Sequence, residues 1–180
     1  MADTSTSGGE RADILDLLHK HRELFLVTVR GLTDDQARQR PTVSELTLGG
    51  LVKHVSRTEQ SWTRFIVAGP PEGPEIDWAR IDWSNPPPEV REFQDSFRVL
   101  EDETLAGLLA EYDAVAAATD ALVREVDLDS SQPLPKAPWH EPGSRWTARR
   151  VFLHIAVETA QHAGHADIIR ESIDGQKSMG

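Results

Sequence analysis

Four polar side chains late in the chain carry the spacing of a binding site. His154, Glu158, His162 and His165 are separated by four, four and three positions within RVFLHIAVETAQHAGHADIIRE, Arg150 to Glu171. On a helix, at about 100° per residue, they fall within roughly 80° of one another on a single face. Glu158 and His162 occupy adjacent turns, so both can reach one ion. Imidazole nitrogen and carboxylate oxygen are ordinary zinc ligands at about 2.0–2.2 Å. The same spacing also serves a surface pair with no metal at all.

An ion held by Glu158 and His162 needs a third ligand from elsewhere. His54, in LVKHVSRTE, is bracketed by Leu51 and Val55 at the margin of an apolar face. An inward-pointing imidazole there needs a partner. His54, Glu158 and His162 together would leave a fourth position open to water or substrate, as catalytic rather than structural zinc sites do. His165 lies about 20° from Glu158 around the axis but roughly 10 Å along it, so it would flank the open position rather than share the ion. His154, inside the run Val151-Phe152-Leu153, reads as a core histidine. Glu59 reads as an ion-pair partner for an arginine, and His19 and His21 read as surface residues pointing about 200° apart. Arg145, Arg149, Arg150 and Arg170 bracket the last helix. On so acidic a chain most of them are expected in internal pairs.

The elements that must position these residues are helical. Apolar residues recur at helical spacing in four long stretches: about Glu10 to Arg30, Thr47 to Ala68, Glu103 to Val126, and the stretch from Ser144 or Thr147 to Gly175. Thr33 with Gln36 predicts a capping box, Asp102 is a candidate cap for the third long helix, and Gly31 and Gly175 are placed to end helices. A short helix is expected around Glu89 to Phe97, after three consecutive prolines. No run alternates apolar and polar residues as a strand would. Two connections, 69–102 and 127–146, are long enough to cross a bundle end to end. The predicted architecture is all-α, a four-helix bundle with long crossover connections. Residues 1–9 are expected to be a disordered leader, 10–175 one domain, and 176–180 a tail. Trp78, Trp83 and the 127–146 crossover are candidates for the rim of a cleft.

The chain has 180 residues, no cysteine and a formal net charge of −11. Disulfides, thiolate zinc sites and cysteine nucleophiles are therefore excluded. The negative charge argues against nucleic acid and anionic membrane surfaces as partners. The N-terminal stretch has no apolar segment of the secretory type, and no stretch approaches the ~20 apolar residues of a membrane span. A cytoplasmic protein acting on a small molecule is expected.

TLGGLVKHVSRTEQSWTRFI, taken with RWTARRVFLHIAVETAQHAGHADIIRESIDG, resembles the DUF664 branch of the DinB-like superfamily, and ETAQHAGHADIIRESIDG is its most specific part. The resemblance implies a bundle with one divalent metal at its mouth and a homodimer. Most of that superfamily uses three histidines. Matching by position puts the first on His54 and the final pair on Glu158 and His162, with glutamate in place of a histidine. The related mycothiol-dependent maleylpyruvate isomerases have a similar Glu-x-x-x-His pair. This donor set leaves zinc at net +1 and would also accept Ni, Fe or Mn. The implied function is S-transfer or isomerisation with a low-molecular-weight thiol, mycothiol above all, activated as a thiolate. His165 would act as outer partner or proton shuttle. A non-catalytic metal-binding or small-ligand-binding bundle and a metal-dependent hydrolase are the alternatives, the latter needing Glu59 or His165 as base.

Overall fold

The computed structural model describes residues 9–70, 80–135, 137 and 140–178. The leader at 1–8 and Trp78 lie outside the described residues. The chain folds into helices α1 (Glu10–Val27), α2 (Asp34–Ala37), α3 (Leu48–Ala68), α4 (Pro88–Asp95), α5 (Leu105–Glu125) and α6 (Ala148–Asp174), with strands β1 (Ser131–Pro133) and β2 (Arg145–Thr147) between α5 and α6. The fold is all-α apart from this one small ladder. Among the described residues no helix is long and apolar enough to cross a membrane.

Local chemistry explains where the helices start. Thr47, Thr104 and Thr147 each turn a side-chain oxygen to a backbone N–H three residues on, at the heads of α3, α5 and α6. Thr104 takes the role that the sequence offered to Asp102. Thr33 and Gln36 close a capping box on α2. Gly9, assigned above to the leader, is the N-cap of α1. Gly175 ends α6 at φ 78°, in the left-handed region that a residue with Cβ avoids.

The long helices close a ring. α1 packs on α6 and α5, and α3 packs on α5 and α6. Two apolar clusters fill it. One gathers Phe25, Leu51, Val55, Leu108, Tyr112 and Ile169, and the other Leu18, Phe65, Val123, Val151, Phe152 and Ile155. Every long helix contributes to both. The stretch between its two contributions is polar: Arg22 on α1, Glu59 on α3, Thr119 and Asp120 on α5, Thr159 on α6. Arg22 donates to Glu59 at 2.5 Å and to Asp120 at 2.8 Å, and His19 lies 2.5 Å from Asp120. Glu59 is 1% exposed, so this ion pair is a buried belt across the middle of the bundle.

The α3–α5 connection is pinned to α3 by close approach. A Cβ on Gly50 would come within 2.1 Å of the Phe97 carbonyl oxygen, and one on Gly49 within 2.6 Å of the Val99 side chain. Lys53, 1% exposed, adds a polar clamp, with its ammonium 2.7 Å from the Glu103 carboxylate and 3.0 Å from the Arg98 carbonyl. The α5–α6 connection is not wholly irregular as expected. Ser131 to Pro133 pairs antiparallel with Thr147 to Arg145. Three residues a side, one of them proline, leave no readable alternation.

Candidate metal centre

A cleft of about 840 Å³ opens between α3 and α6, level with the buried belt. Its α3 wall carries His54, Thr58 and Trp62 in one row, with Arg57, Gln60, Ser61 and Arg64 beside them. Its α6 wall carries His154, Glu158 and His162, one turn apart. Ser96 and Phe97, at the end of α4, close a third side.

His54 is 9% exposed. Phe97 lies flat on its ring, with centroids 3.8 Å apart and planes 20° from parallel. Among the described residues Nδ1 has only Ser96 Oγ, at 3.4 Å, and Nε2 only Thr58 Oγ1, at 3.5 Å. Both contacts are at the long limit of a hydrogen bond. Burial first, then the neighbouring charge of His162, pushes the imidazole down to about 4, so it is neutral at physiological pH.

His162 faces His54 edge-on with ring centroids 4.9 Å apart. Its two nitrogens have different neighbours. Nδ1 pairs with Nδ1 of His165 at 3.4 Å, while Nε2 points toward Glu158 Oε2 at 3.9 Å. Burial, then His165, keeps His162 below its ordinary value against the opposing pull of Glu158. The other Glu158 oxygen is 3.5 Å from Nε2 of His154. His154, also lowered by burial, stands between Trp62 and Trp146, edge-on to both at 4.8 and 4.9 Å. It is packed, as expected of a core histidine, yet it also lines the cleft.

The cleft is lined by His54, Glu158 and His162, two chosen for their spacing and the third for its place at the margin of an apolar face. His165 is not among the cleft-lining residues and reaches the site through His162. As the side chains stand, no three histidine or acidic groups among the described residues close on one point that an ion could occupy. The donors nonetheless suit a divalent ion in kind. Burial lowers the titration of both imidazoles, and each has a neighbour at Nδ1, Ser96 for His54 and His165 for His162. A partner on the second ring nitrogen is the pattern that orients metal-bound histidines. A carboxylate stands between His154 and His162.

Glu59 pairs with an arginine, Arg22. Arg149 pairs with Glu10 and Asp129, and Arg170 with Asp174 and the Thr28 and Arg30 carbonyls. Arg145 holds Ser131, and Arg150 lies over the Trp146 ring. Trp83 stands 60% exposed and does not line the cleft. The 127–146 crossover instead supplies Trp146, stacked on Trp62 at 5.0 Å. Sequence reasoning missed Thr58 and Trp62 as site residues, although they follow His54 at four-residue steps. It also missed Arg57, Arg64, Ser96 and Phe97.

A helical bundle with a histidine- and glutamate-lined cleft between its second and last long helices fits the DinB-like class, which a family match supports. The family model for Mycothiol-S-transferase matches residues 13–175, and the chain belongs to that family. No curated protein sequence is similar enough to match. Among solved structures, the crystal structure of a conserved protein from Enterococcus faecalis is similar at a TM-score of 0.60 and 16% identity, over 92% of this chain and 97% of that one. At that identity it speaks for the fold alone.

Proposed function

We propose that this protein is a metal-dependent S-transferase or isomerase that joins mycothiol to a small electrophile, with His54, Glu158 and His162 as ligands of one divalent ion, zinc first among the candidates. The observation that carries the reading is the convergence of two neutral imidazoles and one carboxylate on a single cleft, in a chain of the mycothiol-S-transferase family. When bound, the ion supplies the positive charge that favours a thiolate over a thiol. Glu158 in place of a histidine departs from most of the DinB-like superfamily but fits the resemblance to the maleylpyruvate isomerases, which have a similar Glu-x-x-x-His pair. The reading keeps residues 10–175 as one domain and includes a cytoplasmic homodimer, the state the resemblance implies.

The protein's own groups have distinct tasks in this reading. Phe97 and Ser96 fix the His54 ring and keep water from it. His165 holds Nδ1 of His162 and thereby aims Nε2 at the cleft, so it is a positioning residue as well as the candidate proton shuttle. Glu158, with water on one side, is the exchangeable charge between His154 and His162. The hydrolase alternative would need a general base at the cleft; Glu59 is paired with Arg22, and neither it nor His165 lines the cleft.

The test is a mycothiol conjugation assay on purified protein, before and after chelation and after adding back zinc, nickel, iron or manganese. Turnover that survives full metal removal would falsify the reading. Metal-dependent stability without turnover would make the protein the non-catalytic binder instead.

A further inference from the structure

The α3 wall of the cleft holds a feature that thiol activation does not use. Arg57, Gln60, Ser61 and Arg64 follow one another at i, i+3, i+4 and i+7 and all line the cleft. Their spacing puts two guanidiniums on one face of α3, about 10 Å apart along the axis, with an amide and a hydroxyl between them. The chain has 30 acidic residues against 19 basic ones. Arg22, Arg40, Arg98, Arg149 and Arg170 all meet carboxylates. Among the described residues, Arg57 and Arg64 form no hydrogen bond or ion pair, although Arg57 does act electrostatically on Glu103.

Two exposed guanidiniums beside neutral donors, at the edge of a cleft, match an oxyanion. Guanidinium presents a planar fork that carboxylate and phosphate oxygens accept in pairs. The opposite wall is unsuited to that role, since it carries the Glu158 carboxylate. Trp62, stacked on Trp146, gives the same cleft an apolar surface for the body of a ligand. We propose that the Arg57-Gln60-Ser61-Arg64 face receives an anionic group, carboxylate or phosphate, on the electrophile. The assignment rests on the reading of this cleft as the transferase site, and it narrows the second substrate to acids.

Calorimetric titration of the purified full chain tests it without thiol or metal. The probes are 4-chloro-3-nitrobenzoate, its neutral amide, and phenyl phosphate. The wild type should bind the acid about tenfold more tightly than the amide, as charge-assisted pairing requires. High salt should shrink that margin. In the Arg57→Gln, Arg64→Gln double variant the margin should vanish, with helical circular dichroism unchanged because both side chains are exposed. Arg124→Gln, on α5 and outside the cleft, should keep it. Tighter binding of phenyl phosphate than of the benzoate assigns phosphate as the group, and the reverse assigns carboxylate. Equal affinity for acid and amide in the wild type, or a margin that survives the double variant, overturns the proposal. Arginine-dependent acid binding without any mycothiol conjugation would leave this inference standing and remove the transferase reading. Conjugation with no preference for acids would do the opposite.

Discussion

The ring of Phe97 lies on the imidazole of His54, 3.8 Å away, and the backbone that delivers it rests on the bare Cα of Gly50. Burial is the main reason His54 titrates low, and that ring covers one face of the imidazole. Phe97→Ala should therefore let the His54 titration rise from about 4 toward its ordinary 6.5. Two-dimensional NMR of the imidazole in metal-free protein would follow it. An unmoved titration would mean that the ring does not shield His54.

Gly50→Ala pushes from the other side. Its new methyl would sit 2.1 Å from the Phe97 carbonyl oxygen, a backbone atom that cannot swing away. Forcing atoms into a packed site typically costs about 1–3 kcal/mol. Urea denaturation should show a loss of that order, and the 96–99 segment should become more open to hydrogen exchange.

Acid should weaken the metal-free protein earlier than carboxylate chemistry alone would. His54, His154 and His162 are all lowered in the fold. A lowered histidine contributes its full stability above the unfolded value of about 6.5, and that contribution is lost as pH falls toward the folded value. For His54 the window runs from 6.5 down to about 4. At about 1.4 kcal/mol per unit, less what solvent screens, it accounts for on the order of 2 kcal/mol. Melting temperature measured across that window should fall, and His54→Gln should flatten the fall.

Metal content separates ligands from neighbours. His54→Ala, Glu158→Ala and His162→Ala should each purify with little metal, and His154→Ala with the wild-type amount. His165→Ala should bind, but roughly ten- to a hundredfold more weakly, because an outer partner of a ligand is lost. Elemental analysis and competition with a chelator would read both. Equal metal in the wild type and His162→Ala would sink the ligand assignment.

The buried belt gives a prediction independent of the cleft. Arg22→Met strands the Glu59 carboxylate in the interior, a loss of about 3–5 kcal/mol for a broken buried pair. Replacing both partners, Arg22→Met with Glu59→Met, should recover much of it. A double-mutant cycle by denaturation checks both values.

The parts of this site visible in the sequence are those set by spacing within one helix. Glu158 and His162 are neighbours because four residues make about one turn, and His54 stands out as a polar residue among Leu51, Val52 and Val55. Threonine caps were readable for the same local reason. Asp102 and Thr104 are both good caps two residues apart, and only the path of the chain over α3 selects Thr104. Phe97 and Ser96 were not legible as site residues. Their contact with His54 depends on a crossover docking against Gly49 and Gly50, a relationship between stretches more than forty positions apart. That Glu59 needs an arginine was readable from its type. That the arginine is Arg22 required the ring of helices.

His54 belongs to the second long helix and His162 to the last, roughly a hundred positions later. The α3–α6 contact is thus among the longest-range in the fold, and contacts of that kind form late. A chain emerging from synthesis presents His54 long before it has Glu158 or His162 to offer. Capture of an ion at this cleft would therefore act as a seal on a finished molecule. Divalent metal added during refolding should leave early helix formation untouched and slow only the departure of α6, making metal retention a direct gauge of whether the last helix has docked.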